Sequence, residues 1–407
     1  MLTLYTIVVR IYAFGVRMAA LFGNGKAKLW VDGRKRQRLQ NAPTEGKWIW
    51  FHAASLGEFE QGRPLIEAMK RDHPQYKVLL SFFSPSGYEI RKDYPLADEV
   101  LYLPVDTPEN AKAWLQRHRF VAAFFIKYEF WFNYMRALNE TGIPLFYISL
   151  ILSRKSFFFK PYGRWFRKQL GCVTHFFVQD QATADLLKGS GFGNATVCGD
   201  TRFDRVASIA GQAKPFPELE RFVGGRKCIV AGSTWPPDEQ LLAKWLPEMP
   251  DGYCLIIAPH DVSEGHVAQI KAQFPQALLY TELENSGNSN ILVVNTIGIL
   301  SQLYQYARFA YVGGAFGAGL HNIQEPVAFG CPVFFGPRHT AFKEAVDLVA
   351  QGGAFCVANA NDLRCIFSQL INKDDLYSYA SGVCKNYLLS QRGATQRIMQ
   401  EVVPRLR

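Results

Sequence analysis

The chain has 407 residues, of which 48% are apolar and 20% are charged, with 45 Lys and Arg against 35 Asp and Glu. This length and apolar content exclude a disordered chain and leave room for two or three domains with buried cores. The formal net charge of +10 suits a phosphorylated substrate, an anionic membrane surface or nucleic acid, but no block of Lys and Arg is long enough to favour nucleic acid.

The eight cysteines indicate a reducing compartment. None of them forms a C-x-x-C pair, and most lie in apolar, strand-like runs. This spacing favours reduced, buried thiols in a cytosolic protein over a disulfide framework or a zinc site. We therefore predict that the chain holds no metal.

The chain begins with an apolar run of about twenty residues, which is near the length that spans a bilayer. Arg10 and Arg17 interrupt the run and share one face of a helix, where they would be costly in a spanning segment. No cleavage signal follows. We predict a membrane-associated helix over residues 1–25 that lies in the interface, with its arginines towards the headgroups. A first helix docked on its own domain is the alternative.

From Trp48 onward, short apolar runs alternate with amphipathic ones. Two predicted helices in this part are "GEFEQGRPLIEAMKRD" and "EFWFNYMRALNETG". The predicted strands are "WIWFHA", "KVLLSFF", "VLYLPV", "FVAAFFI", "IPLFYISL" and "THFFVQD". Continuous apolar strands are typical of a parallel sheet covered on both faces, so the pattern predicts a doubly wound α/β domain.

A polar stretch near Val206–Pro217 predicts a domain boundary. A second α/β series follows it, which gives an acceptor-side domain over residues 26–206 and a second domain over 207–407 that includes the C-terminal helices. In open α/β sheets, ligands bind beyond the carboxyl ends of the strands. Two such domains facing each other would therefore form a cleft, and the loops that follow strands are where chemistry is expected.

In the second domain, the segment "YVGGAFGAGLHNIQEPVAFGCPVFFGP" leaves a strand at Val312. His321, Asn322 and Glu325 come at the start of a helix predicted over residues 322–329. A helix N-terminus can hold phosphate, and Glu325 can accept hydrogen bonds from a ribose diol. Four glycines let the backbone approach a ligand closely: Gly313, Gly314, Gly317 and Gly319. The segment predicts nucleotide binding, with plain loop geometry as the alternative.

Two other strand exits in this domain carry polar residues. In "VAGSTWPPDE", Ser233 or Thr234 can cap a helix that begins at Pro236 and can also offer N–H and O–H groups to a phosphate. In "IIAPHD", His260 can contact a phosphate or a base. The alternatives are helix capping alone and a structural histidine.

The corresponding exit in the first domain is "FHAASLGEFE". Ser55 and Gly57 let the turn pass close to a ligand, and Glu58 stands where the helix dipole favours its charged form. A charged carboxylate aimed into a cleft is suited to general base catalysis, whereas a Glu that serves only the dipole is the alternative. Glu129 follows another strand and is predicted to support the site by holding a base, a sugar hydroxyl or Lys127.

Residues 150–168, "LILSRKSFFFKPYGRWFRK", mix six cations with six aromatic residues. Arg154 and Lys155 suit a phosphorylated acceptor, and Phe157–Phe159 would lie against acyl chains. Nucleic acid can use the same mixture by stacking, but the apolar N-terminus favours lipid. Arg202, near the predicted hinge, is a further candidate for acceptor binding.

Taken together and in order, "HAASLGE", "EFWFN", "GDTRFD", "AGSTWPPDE" and the glycine-rich segment resemble the 3-deoxy-D-manno-octulosonic acid (Kdo) transferases of lipopolysaccharide synthesis. The resemblance implies a GT-B glycosyltransferase with two Rossmann-like domains. The C-terminal domain would bind CMP-Kdo, and the N-terminal domain would bind a phosphorylated lipid A precursor. The implied location is the cytoplasmic face of the bacterial inner membrane.

The resemblance also implies residue roles. Glu58 would be the general base of an inverting transfer, Glu325 would hold the donor ribose, and Asn322 and the glycine turn would lie near the phosphate. Ser233 and Thr234 fall in the donor loop. No cofactor or metal is implied, and the expected state is a monomer.

Two departures from the family pattern stand out. The family usually shows P-R-H where this chain has Pro259, His260 and Asp261, and commonly shows E-T-E-L-W-P-N where this chain has "KYEFWFN". Other hypotheses stay open: a GT-B transferase that uses a UDP-sugar, a non-catalytic protein that binds a sugar nucleotide or lipid phosphate, and, third, a nucleic-acid binding protein.

Overall fold

The computed structural model describes residues 1–37, 45–285, 289–317 and 319–406. The chain forms two compact units. The first comprises Met1–Asp204 with Gly393–Arg407, and the second comprises Arg205–Arg392. The chain therefore leaves the first unit and returns to it near its C-terminal end.

Each unit is built on a parallel sheet of seven strands within the described residues. The first sheet contains β1 (Lys47–Ala53), β2 (Tyr76–Phe82), β3 (Glu99–Tyr102), β4 (Phe120–Ile126), β5 (Leu145–Leu150), β6 (His175–Val178) and β7 (Ala195–Val197). The second contains β8 (Lys227–Thr234), β9 (Tyr253–Pro259), β10 (Leu278–Leu279), β11 (Ile291–Val293), β12 (Ala307–Val312), β13 (Val333–Phe335) and β14 (Ala354–Cys356). Parallel neighbours require crossover connections, which are supplied mainly by helices.

The α-helices of the described residues cover both faces of the two sheets. They are α1 (Leu2–Leu21), α2 (Gly25–Gln37), α3 (Leu56–Asp72), α4 (Pro85–Arg91), α5 (Pro108–Arg117), α6 (Phe132–Glu140), α7 (Arg164–Gln169), α8 (Gln181–Gly189), α9 (Arg202–Gly211), α10 (Pro217–Val223), α11 (Pro236–Trp245), α12 (Glu264–Gln273), α13 (Leu300–Leu303), α14 (Gln324–Ala328), α15 (Lys343–Gln351), α16 (Ala360–Asn372), α17 (Asp374–Gln391) and α18 (Ala394–Val402).

The strands read as continuous apolar runs because both of their faces are buried. Trp50 packs with Leu79 and Phe125 in one apolar cluster, whereas the next residue, Phe51, belongs to another. Successive side chains of a strand point to opposite faces, so these clusters lie on the two sides of the first sheet. The prediction of two doubly wound α/β domains preceded by an apolar helix is confirmed.

The strand order determines where ligand-binding loops diverge. It runs β3-β2-β1-β4-β5-β6-β7 in the first sheet and β10-β11-β9-β8-β12-β13-β14 in the second. The order of the strands reverses between β1 and β4 and again between β8 and β12. Loops at the carboxyl ends of such strands leave in opposite directions, and doubly wound sheets bind ligands in the resulting crevice.

The N-terminal helix α1 docks on the first unit by one side only. The Tyr5 hydroxyl donates to Asp106 (2.6 Å), and the Asn133 amide donates to Thr6 (3.3 Å). Residues on the opposite side of the helix expose large apolar side chains: Leu4, Ile7, Val8, Ile11 and Phe14. Helix α1 therefore docks on its own unit and also presents an apolar stripe, and its contact with a membrane stays a prediction.

Helix α1 is also long and apolar enough to cross a membrane, by length and composition. Its Arg10 is exposed and forms an ion pair within the protein, and the orientation of the arginines towards headgroups stays a prediction. The guanidinium donates to both carboxylate oxygens of Glu109 on α5, each at 3.0 Å. Both Arg10 and Arg17 are exposed.

The C-terminal helix α18 packs in the first unit rather than the second. Ile398 and Val402 share an apolar cluster with Phe59 and Ile66 of α3. The predicted second domain, residues 207–407, placed all the C-terminal helices together, and the structure differs for α18. The amphipathic face of α18 completes the apolar cover on one side of the first sheet, whereas α16 and α17 stay in the second unit.

One carboxylate holds the chain where it re-enters the first unit. Asp204, in the first turn of α9, accepts hydrogen bonds from the backbone N–H groups of Gly393 (2.6 Å) and Thr395 (2.7 Å). The first amides of a helix have no partner within the helix. Asp204 therefore caps α18 from a segment that is distant in sequence, and it joins the outgoing chain to the returning chain.

Replacing Asp204 by Ala is expected to lower the free energy of unfolding by about 1–2 kcal/mol, because a charged capping acceptor is lost. Urea unfolding followed by circular dichroism measures the change. Asp204→Asn keeps one acceptor oxygen and should lose less. Asp72→Ala, at an exposed ion pair with Arg71, is the control and should change little. Equal unfolding midpoints for Asp204→Ala and Asp72→Ala would contradict the capping role.

Candidate active site

Two carboxylates leave the switch point of the first sheet. Glu58 lies in the first turn of α3, which follows β1, and Glu129 lies in the loop between β4 and α6. Because β1 and β4 are paired neighbours, both loops start from the same edge of the sheet. The helix predicted to include Glu129 begins only at Phe132, so Glu129 is a loop residue.

Glu58 caps the helix on which it lies. Its Oε2 accepts hydrogen bonds from the N–H groups of Ala54 (2.7 Å) and Ser55 (3.2 Å), and Ser55 is the N-cap residue of α3. A Glu three residues after a Ser N-cap forms a capping box, which satisfies amides that the helix leaves unpaired. Both hydrogen bonds end on Oε2, so Oε1 takes no part in capping.

The pKa of Glu58 is raised to about 7, first by burial of the carboxyl group and then by the negative charge of Glu129. The hydrogen bonds from Ala54 and Ser55 and the charge of Lys127 act in the opposite direction. The position of Glu58 at the start of a helix predicts that the dipole favours the charged form. The shift has the opposite sign because desolvation outweighs these favourable contacts. A carboxyl group that titrates near neutral pH suits proton transfer.

Glu129 belongs to a buried polar network. Its Oε2 lies 3.0 Å from Nε2 of His52 and accepts the indole N–H of Trp131 (2.7 Å). Nδ1 of His52 lies 2.8 Å from the hydroxyl of Ser81, to which Trp50 also donates (2.7 Å). Such partners hold a buried carboxylate in one orientation and balance the loss of water around it. The supporting role of Glu129 stays a prediction, for which the network supplies the geometry.

Sequence reasoning did not single out His52. It is fully buried in β1, one residue before the strand ends at Ala53. A polar residue near the carboxyl end of an otherwise apolar strand is the signal that points to it. Only the pairing of β1 with β2 and β4 brings its two ring nitrogens to Ser81 and Glu129.

Two non-glycine residues at neighbouring strand exits have left-handed backbone conformations. Lys127 follows β4 with a φ of 63°, and Ser149 lies in β5 with a φ of 55°. The N–H of Lys127 donates to the carbonyl of Ile148 (3.0 Å), and the hydroxyls of Ser149 and Thr201 lie 3.2 Å apart. Strain of this kind persists where surrounding contacts enforce it, and it is concentrated at functional sites. These left-handed conformations cannot be predicted from the composition or the periodicity of the sequence.

The predicted acceptor residues fall into two groups. Ser55 and Gly57 lie in the same helix start as Glu58, where the structure brings them together. Arg154 and Lys155 lie in an exposed turn that follows β5, two strands away from β1. The structure thus places these cations at the same edge of the sheet but outside the immediate surroundings of Glu58.

Arg202 and Phe158, predicted to contact the acceptor or acyl chains, instead contact other residues of the protein. The guanidinium of Arg202 donates to the buried carboxylate of Asp200 through Nε (2.9 Å) and Nη2 (2.6 Å), so its charge is partly balanced within the protein. Phe158, predicted to lie against acyl chains, is buried and packs edge-on against Phe130 at 4.5 Å between ring centroids. Of the three phenylalanines in that run, Phe157 is exposed.

In the second unit, the glycine turn after β12 passes closely over the exit of β8. A Cβ atom on Gly313 would lie 2.4 Å from the carbonyl oxygen of Ser233 and 2.7 Å from Cα of Thr234. Gly314 has a φ of 93° and donates its N–H to Asp238 (3.0 Å). The sequence predicts that the glycine turn approaches a ligand closely, but at Gly313 it approaches the backbone of Ser233 and Thr234 instead.

The same turn is closed by its own hydrogen bonds. The N–H groups of Gly317 (2.9 Å) and Gly319 (3.2 Å) donate to the carbonyl of Gly314, and that of His321 donates to the carbonyl of Gly313 (3.1 Å). Arg338, which follows β13, donates from its side chain to the carbonyl of Gly317 (2.6 Å). These contacts set the shape of the turn and occupy amides that were expected to face a phosphate.

Two buried acidic residues at the start of α11 connect the strand exits. Asp238 accepts the N–H of Trp235 (3.0 Å) and the hydroxyl of Tyr311 (2.8 Å). Glu239 accepts the hydroxyl of Thr234 (3.0 Å) and lies 3.0 Å from Nε2 of His266 on α12. The loops after β8, β9 and β12 are thereby held in fixed positions.

The predicted caps of this helix are wrong. Trp235 is the N-cap residue of α11, and the carboxylate of Asp238 takes its N–H, so neither Ser233 nor Thr234 caps the helix. Ser233 instead has a φ of 52°, a third strained residue at a strand exit. The hydroxyl of Thr234 is directed to the buried Glu239, where a polar partner is needed.

Three rings stack above the exits of β8, β9 and β12. The rings of Trp235 and His260 lie 4.7 Å apart, and those of His260 and His321 lie 4.5 Å apart, with interplanar angles of 27° and 23°. The indole N–H of Trp235 donates to Nε2 of His321 (2.8 Å). Burial, and then the neighbouring His260, lower the pKa of His321. The structure thus brings together two histidines that the sequence analysis selected separately.

Asn322 and Glu325 lie next to this stack. The side-chain amide of Asn322 donates to Oε1 of Glu325 (3.2 Å), and its oxygen accepts the N–H of Gln324 (3.0 Å). The helix predicted over residues 322–329 is only Gln324–Ala328, because Asn322 turns the chain before it. Within the described residues, no group of three or more His, Cys, Asp or Glu residues is arranged to hold a metal.

The chain matches known proteins along most of its length. Residues 32–205 match the family described as 3-deoxy-D-manno-octulosonic-acid transferase (kdotransferase). The 3-deoxy-D-manno-octulosonic acid transferase of Aquifex aeolicus is 26% identical over 330 residues, which cover 80% of this chain and 86% of that protein. The transferase of the same name from Chlamydophila psittaci is 25% identical over 387 residues, covering 91% and 89%.

A solved structure shows the same architecture. The UDP-GlcNAc 2-epimerase of Neisseria meningitidis superposes with a TM-score of 0.61 over 88% of this chain and 100% of that chain, at 15% identity. At this identity the likeness concerns the fold, which is of the GT-B type. The family match over residues 32–205 and the relatives matched along most of the chain agree with the ordered motifs, and the chain is similar over most of its length to 3-deoxy-D-manno-octulosonic acid transferases.

Proposed function

We propose that this protein transfers Kdo from CMP-Kdo to a phosphorylated lipid A precursor, with inversion at the anomeric carbon and release of CMP. The similarity to 3-deoxy-D-manno-octulosonic acid transferases supports a Kdo glycosyltransferase of lipopolysaccharide synthesis. One observation carries the catalytic part of the proposal. Glu58 is a partly buried carboxyl group with a pKa of about 7 at the carboxyl end of β1, and one of its oxygens lies outside the helix cap.

In the proposed reaction, Oε1 of Glu58 takes the proton of an acceptor hydroxyl as the hydroxyl oxygen attacks the anomeric carbon of Kdo. The bond between that carbon and the phosphate oxygen of CMP breaks, and CMP leaves with the electron pair. A single displacement inverts the configuration and needs no covalent intermediate. A positioned general base typically accelerates such a step by about 10²–10⁴-fold.

The second unit is proposed to bind the donor. Glu325 is proposed to hold the ribose and Asn322 to lie near the phosphate, and a hydrogen bond between their side chains supports this pairing. The side chain of Thr234 helps to position the exit of β8 and does not contact the donor, because its hydroxyl donates a hydrogen bond to Glu239. The proposal involves neither a cofactor nor a metal.

Attachment to a membrane surface is part of the proposal. The apolar stripe of α1 suits the acyl boundary of a bilayer, and the exposed cations Arg154 and Lys155 suit phosphates of the lipid or the acceptor. A helix that docks by one side and exposes apolar residues on the other is suited to lie in the interface. We propose a monomer on the cytoplasmic face of the inner membrane.

The reaction is tested by mass spectrometry of a lipid A precursor incubated with the protein and CMP-Kdo. The expected result is a mass increase of one or more Kdo residues together with free CMP, and no transfer from UDP-sugars. Tight donor binding without any transfer would instead support a non-catalytic binding protein. Transfer from a UDP-sugar would favour a different GT-B enzyme.

Glu58→Gln and Glu58→Ala are expected to lower kcat by about 10²–10⁴-fold, because no base takes the acceptor proton. Gln retains an oxygen that can cap α3, so it separates loss of chemistry from loss of folding stability. Glu67→Gln, on the same helix and paired with Arg63, is the control and should keep its activity. Near-normal turnover in both Glu58 variants would remove this residue from the role of base.

The pH dependence of kcat/KM is expected to show an acid limb near pH 7, because protonated Glu58 cannot accept a proton. Glu129→Gln removes a negative charge, lowers the pKa of Glu58 and should move the limb to lower pH. Lys127→Met removes a positive charge, raises that pKa and should move the limb to higher pH. Shifts of the two variants in the same direction would contradict the assignment of the limb to Glu58.

Gly313→Ala is expected to weaken donor binding by at least about tenfold, because its Cβ would force the turn away from the backbone of Ser233. Gly317→Ala is the matched control, since the nearest atom to its Cβ lies 3.7 Å away and the position has no positive φ. Calorimetric titration with CMP measures both variants. Equal affinities would show that the close approach at Gly313 does not shape the donor site.

A further inference from the structure

Three amides of the glycine turn after β12 are already engaged within the protein and are not directed to a bound phosphate. The N–H groups of Gly314, Gly317 and Gly319 are all engaged within the turn or with Asp238. Helix α14, which follows the turn, has only five residues, so it offers little of the dipole that a longer helix would concentrate there. Side chains near the turn are therefore candidates for supplying positive charge to a bound phosphate.

The two stacked imidazoles are suited to supply it. His260 is exposed, and its ring lies 4.5 Å from that of His321. Because Trp235 donates to Nε2 of His321, the neutral ring carries its proton on Nδ1. Two imidazolium ions at this separation repel each other, so the pair accommodates one added proton more readily than two. A phosphate oxygen beside the rings would favour that proton.

We propose that the donor phosphate binds against the His260–His321 pair and that binding draws one proton onto the pair, in place of a permanently charged side chain. This inference rests on the proposed function of the second unit as the donor site. Of the two histidines, His260 stands at a departure from the family pattern, in the usual position of an arginine.

The neighbouring charged groups are held by partners of their own. The carboxylate of Asp261 accepts the N–H (2.9 Å) and hydroxyl (3.0 Å) of Ser263. His266 lies between the carbonyl of Asp261 (2.9 Å) and the carboxylate of Glu239 (3.0 Å). Asp238 is bonded to Trp235, Tyr311 and Gly314, and the Arg338 side chain is bonded to Gly317.

The proton taken up by the histidine pair determines whether affinity for the phosphate rises or falls with pH. In the proposal, the proton taken up by the histidine pair places one positive charge beside the bound phosphate. The complex then carries a proton that the free protein lacks above neutral pH. Affinity for the phosphate should therefore fall as pH rises, by up to about tenfold for each pH unit across the window in which the proton is taken up.

The test uses cytidine 5′-(methyl phosphate), a diester that has no ionisation near neutral pH, unlike CMP, whose phosphate titrates near pH 6. Calorimetric titrations of the full-length protein at pH 6 and pH 8, in buffers of different ionisation enthalpy, give the affinity and the number of protons taken up. The expected result for the unmodified protein is binding about 10-fold weaker at pH 8 than at pH 6, with net proton uptake.

His260→Arg should bind with less than about a twofold change between the two pH values, because arginine keeps its charge. His260→Asn should bind weakly at both, and His73→Gln, in the first unit, should behave as the unmodified protein. Two results would overturn this inference while leaving the proposed donor site intact. One is equal affinity of the unmodified protein at the two pH values, and the other is a pH dependence of affinity in His260→Arg that equals that of the unmodified protein. No binding of the diester at either pH would overturn the proposed donor site as well.

Discussion

The constraint on which both units depend is the need to satisfy a carboxylate that is buried where the first strand of each sheet becomes a helix. Glu58 follows β1, and Asp238 follows β8, each three residues after the N-cap of its helix. Both accept backbone N–H groups of their own turn, which a buried carboxylate requires and which a helix start supplies. The same local arrangement thus anchors the loop at each switch point.

The two carboxylates differ in how many of their oxygens accept hydrogen bonds. Asp238 is bonded through both oxygens, one to Tyr311 and the other to Trp235 and Gly314, so it is a fixed part of the framework. Glu58 is capped through Oε2 only, and burial near Glu129 raises its pKa to about 7. Incomplete hydrogen bonding in a partly dehydrated position is what makes a carboxyl group exchange its proton near neutral pH.

In the second unit, backbone amides and side chains differ in whether they are already engaged within the protein. Its glycine turn is closed by internal hydrogen bonds and by Arg338, which makes the turn rigid but uses several of its amides. The ring stack of Trp235, His260 and His321 lies beside this turn, and it is the group that we propose to recognise an anion. The buried Glu239 contributes indirectly, because it fixes Thr234 and His266 and so sets the positions of the strand exits that carry the rings.

Much of this protein was determined by its sequence alone. Continuous apolar strands predicted two doubly wound α/β domains, and polar residues after strands selected Glu58, Glu129, His260 and His321, because a parallel sheet places its ligand loops at the carboxyl ends of strands. Tertiary structure decided what depends on contacts between distant segments. It directed α18 to the first unit and joined His52 to Glu129. It also reversed the expected shift at Glu58, because desolvation is a property of the packed fold and leaves no trace in residue spacing.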